Sequence, residues 1–325
     1  MKFARRIFLR LAACAVALPA FSHVAKAQTY PTRPVRLIVP FPPGGLSDII
    51  GRLIGQSLRT RLGQPFIIEN RPGAGSNLGT EAAARAAPDG YTLLVVGQPN
   101  TINTTLYSRL NFDFLRDIVP VVGLLQLPLV LEVNPALPVY SVPQFISYAK
   151  AHPAKISVAS NGTGTSSHLA GELFKMMTGV DMVHVPYRGA ALALPDLIGG
   201  QVQVFFDNTA SSIEQIRAGR VRALAVTTSA RALVLPDLPT VAEFVPGYEA
   251  STWSGIGAPK NTPREIIDML NREINAALAD PNIAARLADL GGTVLGGSPA
   301  DFGKLFAQDT AKWANVIRAA NIKPE

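Results

Sequence analysis

The feature of this chain that most constrains its fold is a repeated alternation of short β-rich runs with helical stretches. Residues 35–41 have the composition of a buried strand. Leu46–Leu62 carries apolar residues at the helical period and ends before Gly63. The alternation resumes at residues 156–160 and continues to residues 222–227. Such a pattern predicts an α/β protein whose parallel sheets carry helices on both faces.

The length of the chain predicts two domains. It has 325 residues, of which 48% are hydrophobic and 16% charged, so it is too apolar for a disordered protein and too long for one core. We expect two lobes with a cleft between them, and C-terminal helices that pack back on the first lobe. Residues 28–126 with 250–325 form the first lobe and residues 127–249 the second. The chain is expected to cross between them at residues 127–133 and 228–259.

The basic charge of the chain is concentrated at its start. The formal net charge is +7, but residues 1–27 contain five basic residues and no acidic one. Removing these five leaves 25 basic and 23 acidic residues, a net charge of +2. A body with this balance has no electrostatic footprint for nucleic acid, so we expect no nucleic-acid partner.

The same segment predicts export. Residues 1–10 are basic, residues 11–21 are apolar, and Ala25-Lys26-Ala27 supplies a small-x-small cleavage pattern. The apolar run is shorter than the roughly 20 residues that span a bilayer, so residues 1–27 are predicted to be a cleavable signal peptide. Arg5-Arg6 resembles a twin-arginine signal, and it equally fits the positive charge of a general secretion signal. The predicted location is the periplasm.

Two strand-to-helix turns have the composition of an anion site: the first turn, residues 41–48, and the second turn, residues 160–168. Both are rich in glycine, and the second is also rich in hydroxyl side chains. Helix N-termini at the carboxyl ends of strands present unpaired amides to an anion, so two such ends could hold a carboxylate. The alternative is a pair of ordinary turns in which side chains such as Ser47 or Asp48 cap their own helices.

Cofactor and metal motifs are missing from the sequence. Gly73 and Gly75 follow a strand, but Leu78 replaces the third glycine of the dinucleotide fingerprint, and no phosphate-binding loop motif occurs. Cys14 is the single cysteine and lies in the predicted leader, where the apolar run follows it; this order disfavours lipidation. The three histidines after the leader lack metal-ligand spacing. We therefore expect no cofactor and no metal.

Enzyme chemistry is also weakly supported. A serine hydrolase would use Ser166 or Ser167 with His168, a base from the adjacent helix turn, and there is no G-x-S-x-G elbow. His168 is more simply a residue of the helix start that bonds locally. Asp207 follows a strand and either reaches the cleft or, with Asn208, caps the next helix.

Motifs along almost the whole mature chain resemble one family, the Bug-type extracytoplasmic solute receptors, which are the substrate-binding components of tripartite tricarboxylate transporters. The matching stretches are Tyr30-Pro31-Thr32-Arg33-Pro34-Val35-Arg36-Leu37-Ile38-Val39-Pro40-Phe41-Pro42-Pro43-Gly44-Gly45 with Asp48, Leu62-Gly63-Gln64-Pro65, Glu69-Asn70-Arg71-Pro72-Gly73-Ala74-Gly75, Pro88-Asp89-Gly90-Tyr91-Thr92-Leu93-Leu94, His168-Leu169-Ala170-Gly171-Glu172-Leu173-Phe174, His184-Val185-Pro186-Tyr187-Arg188-Gly189, Leu235-Pro236-Asp237-Leu238-Pro239-Thr240 and Trp253-Ser254-Gly255.

The resemblance implies a two-lobed periplasmic binding protein of the type II-like kind, with two crossover segments and a small carboxylate held in the cleft. The ligand-binding residues carried over by motif are Phe41, Gly44, Gly45 and Asp48 from the first turn, Thr163, Gly164, Thr165, Ser166 and His168 from the second, and Tyr187 and Asp207 nearby. Leu46, Ser47 and the stretch from Gln98 to Thr101 fall where the family pattern is loose, so they are expected to tune ligand choice.

The same resemblance implies what the receptor works with. The partners would be a small organic acid and the membrane subunits of the transporter. The receptor would be a monomer, and its closed form would dock on the membrane subunits. A receptor that presents its carboxylate to a membrane sensor kinase is an alternative. A secreted serine hydrolase is the other.

Overall fold

The computed structural model describes residues 30–324, and the predicted leader and cleavage site lie outside them. The strands are β1 Val35–Val39, β2 Phe66–Asn70, β3 Thr92–Gly97, β4 Ile118–Val133, β5 Ser157–Ser160, β6 Val183–Pro186, β7 Val204–Asn208, β8 Arg222–Val226, β9 Ser251–Pro259 and β10 Thr293–Gly296. The helices are α1 Leu46–Leu62, α2 Asn77–Ala84, α3 Gln98–Leu106, α4 Phe114–Asp117, α5 Val142–Ala151, α6 Ser166–Thr178, α7 Ala190–Ile198, α8 Thr209–Arg217, α9 Arg264–Leu278, α10 Pro281–Asp289 and α11 Pro299–Ala319. Over the described residues, no helix combines the length and apolar character needed to cross a membrane.

The strands form one mixed sheet in the order β2-β1-β3-β9-β4-β7-β5-β6, with β8 and β10 also paired to β4. Strand β1 is parallel to β2 and β3, and β5 is parallel to β6 and β7. Strand β9 is antiparallel to β3 and β4, and β7, β8 and β10 are antiparallel to β4. The sheet is therefore mixed and not parallel throughout, because β4 and β9 run opposite to the strands beside them, while β1 with β2 and β3, and β5 with β6 and β7, keep the predicted parallel arrangement.

Strand β4 is 16 residues long and belongs to both halves of the sheet. Its residues up to Pro128 pair with β9, and from Leu129 onward they pair with β7. We call β2, β1, β3, β9 and the first part of β4 the first half, and β7, β5, β6 and the rest of β4 the second half. The amide of Thr227, just after β8, donates to the Leu129 carbonyl at 2.9 Å. The chain therefore passes between the halves along two adjacent segments.

The C-terminal helices contribute to both halves. Helix α9 packs on α1 and β4, as expected for helices that return to the first half, whereas α11 contacts α3, β4 and α6. The start of α11 buries Phe302 and Phe306 against Trp253 of β9. Its end buries Trp313 in the core of the second half. Helix α11 therefore spans the two halves.

Helix α1 shows how the sequence places the first turn. Ile50, Ile54 and Leu58 form its buried stripe at the helical spacing. Gly63 ends the helix in the left-handed conformation, with φ +73°, and donates its amide to the Arg59 carbonyl. The helix starts directly after the loop that follows β1, so its N-terminus opens at the carboxyl end of β1.

Candidate functional site

The loops that follow the parallel strands of both halves open near the middle of β4. In the first half, Gly97 at the end of β3 lies beside Ser254, which in turn pairs with Leu125 of β4. In the second half, β7 runs against β4, and its last residue, Asn208, pairs with Leu129. Because β1 is parallel to β3 and β5 is parallel to β7, the first and second turns open toward this central region.

The first turn closes around the carboxylate of Asp48. Asp48 Oδ2 accepts from the Gly44 amide and from Arg52 Nε, both at 2.9 Å. Asp48 Oδ1 accepts from Asn70 Nδ2 at 2.9 Å, and the same nitrogen donates to the Phe41 carbonyl at 3.0 Å. Asp48 therefore positions the turn. Asn70, which the sequence reasoning did not select, carries the second contact.

The charge of Asp48 is fixed by these partners. The hydrogen bond from Arg52 is the largest cause that lowers the pKa of Asp48 to about 2; burial opposes it, and Gly44 and Asn70 lower it further. The side chain is only 3% exposed. Its negative charge is thus neutralised within the turn, and an anion at the start of α1 does not meet an unpaired carboxylate.

Helix α1 begins without a side-chain cap. Gly45 is its N-cap in extended conformation, so the expectation that Ser47 or Asp48 caps this helix is wrong. The reason is that Asp48 bonds to Gly44, before the cap. Gly44 and Gly45 are exposed, whereas Leu46 and Ser47 are half-buried. The first amides of the helix have no intrahelical acceptor and are available to an anion.

The second turn uses the amides of two glycines inside the protein. The Gly162 amide donates to Ser160 Oγ at 3.2 Å and the Gly164 amide to His168 Nδ1 at 3.0 Å. These two amides are therefore not available to an anion. Thr165 is the N-cap of α6, where its Oγ1 donates to the Gly162 carbonyl at 2.7 Å and accepts the His168 amide at 3.4 Å.

The amides left at the start of α6 are those of its first residues. Ser166 and Ser167 occupy the first two helical positions, whose amides lack an intrahelical acceptor. Ser166 and Thr163 are half-buried, and Gly164 is buried. The second turn thus presents a helix start comparable to that of α1. That these residues contact a ligand stays a prediction.

His168 is a buried neutral base. Its side chain is 6% exposed, and burial, followed by the proximity of His184 and Lys175, lowers its pKa to about 3. Nδ1 accepts the Gly164 amide, so this nitrogen carries no proton and is not available to a ligand. The ring thus holds the turn on its buried side, through the Gly164 amide.

Asp207 and Tyr187 are both engaged within the second half. Asp207 is buried, and its carboxylate accepts from Asn161 Nδ2 at 2.9 Å and from Ser211 Oγ and Ser212 Oγ at 2.5 and 3.0 Å. Burial is the main cause that raises its pKa. Asn161 belongs to the second turn, so Asp207 contacts the turn through the side-chain amide of Asn161, a residue that the sequence did not single out.

Tyr187 points away from the turn toward α7. Its hydroxyl donates to Asp196 Oδ2 at 2.7 Å, and burial together with this carboxylate raises the pKa of Tyr187 to about 12. Asn208 is the N-cap of α8, but neither it nor Asp207 caps the helix with a side-chain bond to its first amides. The ligand contacts predicted for Asp207 and Tyr187 stay predictions.

The stretch after β3 is tied into the core. Gln98 is fully buried, and its Nε2 donates to the Ser251 carbonyl at the start of β9 at 2.7 Å. Thr101 Oγ1 donates to Asp309 Oδ2 at 2.6 Å, and the same carboxylate accepts from the indoles of Trp253 and Trp313. These contacts rigidify α3. A role of Gln98 in ligand choice stays a prediction.

The two halves approach each other closely next to these loops. Gly291, which follows α10 in the first half, packs against Thr209 at the start of α8: a Cβ added to Gly291 would lie 2.7 Å from Thr209 Oγ1. On α3, Leu106 reaches the second turn at Gly164. The second turn therefore borders a region where the halves meet.

Comparison with known proteins identifies the family. A family model described as the tripartite tricarboxylate transporter family receptor, TctC, matches residues 50–322. The chain belongs to this family. Protein BugT of Bordetella pertussis is 39% identical to this chain over 300 residues, covering 91% of this chain and 92% of BugT. The motif resemblance described above is thereby confirmed.

Solved structures of similar proteins share the fold. The adipate complex of Rpa4515 from R. palustris is 39% identical, with a TM-score of 0.80 over 91% of this chain and 100% of that chain. The periplasmic binding protein BugD is 35% identical, with a TM-score of 0.77 over 91% and 100%. MatC from Rhodopseudomonas palustris with bound malate is 33% identical, with a TM-score of 0.76 over 89% and 100%. The fold is that of a two-lobed α/β periplasmic binding protein, as predicted.

The TctC family is one of receptors, and the serine hydrolase alternative is not supported. Ser167 Oγ is buried and has no hydrogen-bond partner among the described residues. His168 Nδ1 is occupied by the Gly164 amide, so it does not act as a base toward Ser167. Within residues 30–324, no cluster of histidine, cysteine and acidic side chains has the geometry to hold a metal ion.

Proposed function

We propose that this chain is a periplasmic receptor that binds a small carboxylate between its two lobes and delivers it to a tripartite tricarboxylate-type membrane transporter. The observation that carries the proposal is that the N-termini of α1 and α6 open toward the same central region of the sheet. The predicted lobes, residues 28–126 with 250–325 and residues 127–249, are part of this proposal.

The chemistry of the two helix starts suits an anion. Each helix N-terminus contributes roughly 0.3–2 kcal/mol to the binding of a negative charge, and each charge-assisted hydrogen bond about 1.5–3 kcal/mol. Two helix ends and two such bonds together contribute about 4–10 kcal/mol, a range that includes the roughly 8 kcal/mol of a dissociation constant of about 1 μM. Asp48 is already paired with Arg52, so it adds little repulsion.

The relatives support a carboxylate as the ligand. Rpa4515 was solved with adipate and MatC with malate, and each aligns with about nine-tenths of this chain. Adipate and malate differ in length and in a hydroxyl group, so together they bracket the size and polarity of the acids to be tested first.

We infer that the ligand acts by shifting an equilibrium between open and closed lobes. The contacts of Leu106 with Gly164 and of Thr209 with Gly291 join the two halves and would separate on opening. A carboxylate that bridges the helix starts of both lobes stabilises the closed form by its greater affinity for that form. The closed monomer, exported by the leader in residues 1–27, is then the species that docks on the transporter.

A ligand screen tests the proposal. The mature protein is heated with a panel of mono-, di- and tricarboxylates that includes adipate and malate, and hits are titrated by calorimetry. We expect at least one acid to raise the melting temperature and to bind at a molar ratio of one. The matched uncharged amides of the same acids serve as controls. No stabilisation by any acid in the panel would contradict the proposal.

A further inference from the structure

Two imidazole rings stack behind the second turn. The rings of His168 and His184 are parallel, with centroids 3.7 Å apart and an interplanar angle of 5°. His168 is the third residue of α6, and His184 lies in β6 opposite Val158 of β5. The turn leaves β5 and enters α6, so the ring pair links the helix that the turn enters to β6, the strand beside the one that the turn leaves.

The hydrogen bonds of His168 define which of its ring nitrogens carries the proton. Nδ1 accepts the Gly164 amide at 3.0 Å and therefore carries no proton. In the neutral ring the proton then lies on Nε2, which is 3.9 Å from Glu172 Oε1. Glu172 is itself paired with Lys175 Nζ at 2.9 Å, so the Nε2–H group faces a carboxylate whose charge is balanced.

The contacts of His184 fit the opposite tautomer. Ser160 Oγ accepts the Gly162 amide at 3.2 Å and lies 2.6 Å from His184 Nε2. A hydroxyl that accepts from the amide keeps its own proton for Nε2, and when it donates there Nε2 is unprotonated and the ring proton lies on Nδ1. The chain of contacts runs from the imidazole through Ser160 to the turn.

We propose that His168 and His184 are positioning residues that fix the ligand-binding turn as a neutral stacked pair of opposite tautomers. His168 holds the Gly164 amide directly, and His184 holds the Gly162 amide through Ser160. This inference rests on the proposed function only in taking the second turn as the ligand-binding element. With both glycine amides drawn inward, the amides that remain for a carboxylate are those at the start of α6.

The proposal requires both rings to be uncharged. A proton on His168 Nδ1 would turn the acceptor of the Gly164 amide into a donor and break that bond. Two charged rings 3.7 Å apart would also repel each other. The turn would then lose the conformation that aims the helix start at the ligand.

The tautomers are tested directly in the ligand-free wild-type protein. Long-range proton–nitrogen correlation spectra of the histidine side chains at pH 7 report which ring nitrogen carries the proton. We expect an unprotonated Nδ1 in His168 and an unprotonated Nε2 in His184. Identical tautomers, or a charged ring at this pH, would overturn the proposal. This measurement needs no variant and no ligand.

Paired variants then test the effect on the turn. His168→Asn and His184→Gln keep a hydrogen-bond acceptor at the position of the bonded nitrogen. His168→Phe and His184→Phe keep an aromatic ring but remove the acceptor. The control is His152→Phe, since His152 is exposed and stacks on Tyr148 outside the turn. The readouts are hydrogen exchange of the Gly162 and Gly164 amides and the affinity for adipate and malate.

The expected pattern distinguishes positioning from simple packing. His168→Phe should speed exchange of the Gly164 amide and weaken carboxylate binding by about tenfold, the value of one hydrogen bond, and His168→Asn should stay within about threefold of wild type. His184→Phe should likewise speed exchange of the Gly162 amide, and His184→Gln should restore the wild-type exchange rate. Equal behaviour of the Phe and amide variants would overturn the proposal. If wild type shows the expected tautomers and exchange but binds no carboxylate, the proposed function fails and the positioning of the turn stands.

Discussion

Gly164 in the second turn packs directly against Leu106 at the end of α3, so closely that a Cβ on Gly164 would lie 2.3 Å from Leu106 Cδ2. Gly164 also has φ +75°, a conformation that favours glycine. The contact joins the loop that follows β5 to the helix that follows β3. Glycine is therefore required at this position both by the backbone conformation and by the approach of the two halves.

Replacing this glycine should impair closure. Gly164→Ala is expected to weaken carboxylate binding at least about tenfold, because the added methyl group clashes with Leu106 and the residue leaves its favoured conformation at a cost of about 1 kcal/mol or more. Calorimetric titration with adipate and malate measures the effect. In a double-mutant cycle, Leu106→Ala should recover part of the loss by removing the clash. Strictly additive effects would contradict a direct contact.

Asp48 should matter for the stability of the first turn. Asp48→Asn replaces a carboxylate that accepts from three donors, so at least one of the groups of Gly44, Arg52 and Asn70 loses its acceptor. We expect a loss of about 1–3 kcal/mol in the free energy of unfolding, measured with urea at pH 7, and weaker carboxylate binding.

The matched control for that variant is Asp268→Asn. Asp268 forms an exposed ion pair with Arg264 on α9, and such pairs contribute less than about 1 kcal/mol. An Asp48 variant as stable as the Asp268 variant would show that the first turn does not depend on the carboxylate.

The buried His168 should make the protein less stable in acid. Its pKa is lowered from 6.5 to about 3, so between these values the unfolded chain binds a proton that the folded chain does not. Stability at this site therefore falls as the pH decreases, by about 1.4 kcal/mol per pH unit within that window. Urea unfolding of wild type and His168→Asn from pH 4 to 7 should show a shallower dependence in the variant. A steeper one in the variant would refute the assignment.

The buried Glu132 should make the protein less stable as the pH rises, the opposite of the effect of His168. Glu132 is completely buried, and burial, followed by the nearby charge of Asp207, raises its pKa well above the usual value. Ser212 Oγ lies between the two carboxyl groups, 2.9 Å from Glu132 Oε1 and 3.0 Å from Asp207 Oδ2. The folded chain then keeps a proton that the unfolded chain releases as the pH rises above about 4.5, so stability falls with increasing pH.

Glu132→Gln removes this titration while keeping the shape of the side chain. The variant should gain stability relative to wild type as the pH rises from 5 to 8, as measured by urea unfolding. Glu214→Gln is the control, since Glu214 is 75% exposed. A difference between the Glu132 variant and wild type that is constant over this range would count against a protonated Glu132.

The sequence was most informative where local pattern determines structure. The periodicity of α1 and Gly63 predicted its bounds without error. The sequence did not reveal that residues 118–133 form one strand shared by both halves, because such a run carries no signal for the change of partner at Pro128. The length of this strand and its change of partner depend on long-range pairing.

The site shows the same division. Motif resemblance located both turns, but the roles of Asp48 and His168 depend on which partners their side chains meet. Asp48 accepts from Asn70, 22 residues away, and His168 stacks on His184 across two elements. These contacts are set by tertiary packing, so the sequence predicted the region and not the function of each side chain within it.

Removal of single backbone amides tests the central claim most directly. Leu46 and Ser166 occupy the first positions of α1 and α6, and each follows a residue in extended conformation, so proline fits both helices while deleting the amide proton. Leu46→Ala and Ser166→Ala keep the amide and serve as controls. Calorimetric titration with the best-binding carboxylate should show at least a tenfold loss of affinity in each proline variant beyond its alanine control, at unchanged stability. Proline variants that bind as tightly as their alanine controls would contradict the account.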